Sequence, residues 1–267
     1  CYLNPERDVS EKAFEIHGYS NEFLSKHTNS AFTFLKQPLV PLSSTVTPFN
    51  IASGRPVPLG LYVSPNSDEH YQNIAKNLAS SNPNYFDLDQ YGNEKNTESY
   101  YKTLGPEIWK ETDGQITHFV TGGSTCGTIM GVGSFLKEEK KDIKVVLADP
   151  IGSSISGFVM GREVVSDLGS YVIEGVGKDS VPKLLDRELI NSVIGISDQE
   201  AIDMCHKLKS EENIHLGGSS GLNISAAVKV ASEAHPGSNI VTIGCDSGVK
   251  YESKIYNDDW LKENNFS

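Results

Sequence analysis

Nothing in the 267-residue sequence approaches the roughly 18–20 consecutive apolar residues that cross a bilayer, and the first residues carry neither a secretory apolar core nor an Arg-rich transit pattern. Basic residues are also scarce: 23 Lys plus Arg stand against 35 Asp plus Glu, a formal net charge of −12. Without a basic surplus to release counterions, nucleic acid is excluded from the expected partners. The four cysteines, Cys1, Cys126, Cys205 and Cys245, lack CxxC spacing and neighbouring paired histidines, so neither a metal site nor a disulfide framework is expected. A soluble protein of a reducing compartment fits this pattern. The sequence begins at Cys1 rather than methionine, which leaves cytoplasm and an organelle matrix both open.

What is present divides into two unequal parts. Residues 1–84 are rich in Ser, Asn and Pro and show turn formers without sustained periodicity. From residue 85 onward the apolar, β-rich segments ITHFVT (116–121), IKVVLA (143–148) and IVTIGC (240–245) alternate with helical patterns, the signature of a parallel α/β domain over 85–267. Ser197 followed by Glu200 predicts a capping box, and Ala201, Met204, Cys205 and Leu208 continue at helical spacing. A second helix is expected to begin near Ser219.

The run Ser124-Thr125-Cys126-Gly127-Thr128 follows a predicted strand and precedes a predicted helix. Backbone N–H groups converging at a positive helix end, together with three hydroxyls, suit a dianionic phosphate; a small-residue turn packed under a sheet would read the same way. His118, His206 and His215 are isolated in sequence and are expected at the surface or core edge, and Tyr100, Tyr101 and Trp109 are expected to pack.

In order, DQYGN (89–93), GPEIW (105–109), FVTGGSTCGTIMG (119–131), ADPIGS (148–153), EGVGKDSVPKLLDR (174–187), GGSSGLN (217–223) and CDSGVKYESKIYNDDWLKENN (245–265) resemble the cystathionine β-synthase and cysteine synthase family of pyridoxal-phosphate (PLP) enzymes. The resemblance implies a PLP fold type II large domain with a parallel twisted sheet, plus a reduced or eroded small domain in 1–84. It implies that Ser124, Thr125, Cys126, Gly127 and Thr128 grip the cofactor phosphate. Ser124 and Cys126 stand where the family places glycines, so a positive φ at either would be strained and the cradle narrowed. It further implies that Ser247 faces the pyridine nitrogen, with Asp246 as an alternative helix cap, that EGVG (174–177) closes near substrate, and that GGSSG (217–221) is a turn feeding a helix.

The resemblance also implies an Asn-Pro-x-x-Ser-x-Lys-Asp-Arg motif whose lysine holds the aldehyde as an imine. Tyr2-Leu3-Asn4-Pro5 matches its approach, and Ser10-Glu11-Lys12 restores Ser-x-Lys only with two residues inserted. Lys12 is the candidate imine former; its other reading is an exposed lysine on a charged helix. The family's carboxylate-binding loop has HTNSAFTF (27–34) as its nearest text, without the glycines, and QPLVPL (37–42) offers a different registration that drops the lysine motif. The expectation is therefore a catalytically degenerate relative, binding no cofactor and serving as a homodimer or a subunit for protein partners. The alternative is an active PLP enzyme replacing the β-substituent of serine or an activated serine.

Overall fold

The computed structural model describes residues 31–36, 49–50, 55–56, 71–81, 87, 89–162 and 171–267. The chain forms two compact units, one of residues 38–93 and one of residues 1–37 with 94–267. In the smaller unit, the two-residue strands β2 (Phe49–Asn50) and β3 (Arg55–Pro56) pair antiparallel, and helix α1 covers Tyr71–Ser81. Its described chain ends in a turn in which the amides of Gly92 and Asn93 both donate to the Asp89 carbonyl.

The larger unit is built on a five-stranded parallel sheet of β1 (Ala31–Lys36), β4 (His118–Gly122), β5 (Lys144–Pro150), β6 (Ser192–Ile196) and β7 (Asn239–Gly244), in the order β1-β7-β4-β5-β6. Side chains alternate across a strand, and successive residues accordingly serve two cores. Phe119, Val145, Leu147, Val241 and Ile243 face α3 (Leu104–Glu111) and α4 (Gly127–Glu139). Val120, Val146, Ala148 and Ile240 belong to the core beneath α6 (Asp198–Glu212) and α7 (Gly218–Glu233). This is the α/β architecture expected from the alternating segments, with helices covering both faces of a buried parallel sheet.

Local chemistry sets the helix ends. The Ser197 hydroxyl accepts from the Glu200 amide at 3.3 Å while the Glu200 carboxylate accepts from the Ser197 amide at 2.9 Å, the reciprocal box read from the sequence. Helix α2 (Glu94–Lys102) has no buried residue of its own and lies against α4, where Gly127 and Gly131 leave room for Asn96 and for the Thr97 carbonyl. Two short helices complete the unit, α5 (Ser154–Val159) and α8 (Asp258–Glu263). Among the described residues no helix is long and apolar enough to cross a membrane, and no group of His, Cys, Asp and Glu is arranged to hold a metal.

The text nearest to a carboxylate loop does not form one over its described part: residues 31–34 lie within β1, pairing with β7 from Ala31↔Asn239 onward. Residues 27–30, like Lys12 and QPLVPL, lie outside the described residues.

Candidate functional site

From β4 the chain steps outward through β5 and β6, then returns to the other side of β4 as β7. The helix leaving β4 packs on one face and the helix entering β7 on the other. Open parallel sheets bind ligands outside the carboxyl ends of strands at such a reversal. The two loops that emerge there are Gly123–Cys126, after β4, and Cys245–Ser247, after β7. The sequence-predicted phosphate residues and Ser247 thus lie at the ends of adjacent parallel strands, registered from His118↔Ile240 to Val120↔Thr242.

One side chain ties these two ends together. Asn223, fully buried on α7, accepts from the Gly122 amide at 2.6 Å and donates to the Ile243 carbonyl at 3.0 Å and the Cys245 thiol at 3.3 Å. Ser220, one turn earlier, accepts from the Cys245 amide at 2.8 Å. Ser220 falls in GGSSG (217–221), read from the sequence as a turn feeding a helix, and Asn223 lies two residues beyond it. Gly217 does cap a helix beginning at Gly218, but the same segment also positions the site.

At the β4 end, Cys126 is the N-cap of the 13-residue helix α4 and adopts φ +64°, the left-handed conformation that glycine tolerates best. Its side chain is buried with the α3–α4 core, and burial pushes its thiol up to about 12. The positive φ expected to be strained for a non-glycine residue is present at Cys126, whose sulfur crowds Gly123 within the same loop. Thr125 accepts from the Gly127 amide at 3.2 Å and from the Asn96 side chain at 3.1 Å. A Cβ on Gly127 would collide with Asn96, so only glycine lets α2 brace the loop this way. The amides of Ser124, Thr125, Cys126 and Thr128 find no acceptor among the described residues, and neither do the hydroxyls of Ser124 and Thr128. Orphan donors converging at a helix N-terminus are the donor set a phosphate needs, and the loop fits that group.

At the β7 end, Ser247 is exposed and its oxygen accepts from the Val249 amide at 3.4 Å. It caps the short 3-10 turn Gly248–Tyr251 and not the last α-helix. Asp246, the alternative cap, is engaged elsewhere, accepting from Tyr251 at 3.1 Å and Lys250 at 3.2 Å. The Ser247 hydroxyl proton finds no acceptor among the described residues and can donate to a ligand. EGVG reaches the cup as well: Gly177, at φ +72°, donates its amide to the Gly123 carbonyl at 2.8 Å, and Glu174 forms an ion pair with Lys254.

On the side of β4 away from β7, Asp149 near the end of β5 is 1 % exposed; burial raises its carboxyl to about 6 although it accepts from the Ser156 amide at 2.9 Å. The histidines take structural places. His118 bonds Thr117, whereas His206 and His215 both pack on Tyr256. Tyr100 and Trp109 pack against the α3–α4 core, and Tyr101 meets Phe135 edge-on.

The model of the family described as "Pyridoxal-phosphate dependent enzyme" matches residues 57–246. The chain is 34% identical over 213 residues to a cysteine synthase of Dictyostelium discoideum, covering 76% of this chain and 56% of that protein. It is 38% identical over 183 residues to cysteine synthase A of Escherichia coli K12, covering 67% and 56%, and 34% identical over 200 residues to a cystathionine beta-synthase of Apis mellifera, covering 75% and 39%. The chain therefore spans roughly half the length of these curated relatives or less.

Proposed function

Because the chain belongs to the pyridoxal-phosphate dependent enzyme family, we propose that it is the phosphate- and ring-binding unit of an active β-replacement enzyme. Its substrate class would be serine or an activated serine, with a thiol as the incoming group. Relatives named cysteine synthase and cystathionine beta-synthase support this reading over a degenerate, cofactor-free subunit. The observation that carries it is the orphan-donor loop at the end of β4, joined through Asn223 to the end of β7 two residues before Ser247.

In this reading the amides and hydroxyls of Ser124 to Thr128 hold the phosphate, and the Ser247 hydroxyl meets the ring nitrogen. When bound, PLP supplies an electron sink for a carbanion at the substrate α-carbon. Ser247 donates a neutral hydrogen bond, so it orients the ring without delivering a full positive charge to the nitrogen. Asn223 keeps the two loops in register, and the buried Cys126 thiol, held protonated, stays out of the chemistry. Lys12, the candidate imine former, lies outside the described residues.

The test is turnover by the purified full chain with added PLP, serine or an activated serine, and sulfide or an amino-acid thiol. A β-substituted product, together with borohydride fixation of PLP to one lysine, is expected. Absence of both product and fixation at saturating PLP overturns the proposal in favour of the degenerate reading.

A further inference from the structure

Ser247 owes its position to a short backbone pairing, not to a long element. Leu216 and Ser247 lie opposite each other in an isolated antiparallel bridge. The bridge is flanked by the Gly217 amide donating to the Asp246 carbonyl at 3.0 Å and the Gly248 amide donating to the His215 carbonyl at 3.0 Å. No helix or strand holds residues 213–217, so something else must fix them. For Leu216 it is a side chain, the Tyr256 hydroxyl donating to its carbonyl at 2.6 Å, whereas the Gly217 carbonyl accepts from the Ser220 and Gly221 amides at 3.0 and 3.2 Å and more weakly from the Cys205 thiol at 3.4 Å.

The Tyr256 ring is itself held on several sides. His206 stacks on it with centroids 5.3 Å apart, His215 meets it edge-on at 4.4 Å, and the Lys209 ammonium lies 4.4 Å from its centroid. His206 is in turn anchored to the Ile255 carbonyl at 2.6 Å. The packed ring places its hydroxyl against the Leu216 carbonyl and beside the Cys205 thiol.

We propose that Tyr256 is a positioning residue for Ser247: its hydroxyl fixes the Leu216 carbonyl, and the Leu216–Ser247 pairing passes that constraint to the serine facing the ring nitrogen. The inference rests on the functional reading above and extends it to residues nine positions beyond the serine. Tyr256 touches neither ring nor phosphate, so its effect must be selective for ligands that engage Ser247.

Two probes separate the halves of the site in the full chain. Inorganic phosphate reports the loop alone, and 4′-deoxypyridoxine 5′-phosphate, which has ring and phosphate but no aldehyde, reports loop plus serine without any lysine. Tyr256→Phe is expected to weaken the deoxypyridoxine phosphate about 3- to 10-fold, the scale of one hydrogen bond, and to leave phosphate affinity unchanged. In a Ser247→Ala background the same substitution is expected to cost less than about 2-fold, because coupled residues are non-additive. His206→Ala, which removes the ring stacked on Tyr256, is expected to show the same selectivity and serves if Tyr256→Phe does not fold. Equal losses for both probes, or full additivity with Ser247→Ala, overturn the clamp alone. Failure of the unaltered protein to bind the deoxypyridoxine phosphate overturns the functional reading and the clamp with it.

Discussion

Removing the amide of Asn223 tests how firmly the two halves of the crevice are joined. In Asn223→Ala the Gly122 amide loses an acceptor at 2.6 Å and the Ile243 carbonyl loses a donor at 3.0 Å, at a site with no solvent exposure to replace them. Each buried group left unpaired costs about 1–3 kcal/mol, so the variant should lose about 2–6 kcal/mol. The weak contact to the Cys245 thiol adds little. At about 2–4 °C per kcal/mol for a protein of this size, the thermal midpoint should fall by about 4–24 °C, read by circular dichroism. Asn223→Asp adds a diagnostic. A carboxylate still accepts from Gly122 but cannot donate to Ile243, and protonation restores that donor, so its deficit should shrink on acidification. A midpoint for Asn223→Ala within about 2 °C of the parent would refute the reasoning, because it would mean that neither backbone group depends on the amide.

Asp149 should make stability pH-dependent in the direction opposite to a salt-bridged carboxylate. Its folded value, raised by burial to about 6, lies above the unfolded value, so between about pH 4 and 6 the folded state holds the extra proton and stability falls as pH rises, by up to about 3 kcal/mol. Urea midpoints across that range should show this slope, and Asp149→Asn should flatten it; an unchanged slope would count against the assignment. Gly127→Ala should drive a Cβ into Asn96, costing about 1–3 kcal/mol, and should weaken phosphate binding as the loop lifts. Tight phosphate binding in that variant would show that the brace is unnecessary. Ser197→Ala removes one half of the α6 capping box and should cost about 1 kcal/mol by urea melting without touching phosphate affinity.

Features carried by local pattern could be read from the sequence. Strands β4, β5 and β7 are apolar, β-rich runs, and the α6 box depends on two residues three apart. Strand β6 escaped because SVIGI is short, contains Gly195 and lies at the sheet edge with only its last residue buried. Helix α2 escaped because it buries nothing of its own, and its place depends on two glycines in a helix that follows it in the sequence. The loop proposed to hold phosphate was legible as a constellation of small residues, but the burial of Cys126 in the α3–α4 core was not, since it depends on how the loop folds. Asn223 and Tyr256 carry no periodic signal at all. Their partners lie 101 and 40 residues away, and only the closed sheet brings them together.

The central claim is that the amides and hydroxyls from Ser124 to Thr128 hold a dianionic phosphate, and phosphorus NMR of PLP added to the protein tests it most directly. The account predicts a shifted resonance that stays dianionic and insensitive to pH across the range in which free phosphate titrates, lost or restored to free behaviour in Thr125→Ala. A resonance that titrates like free PLP in the unaltered protein would contradict it.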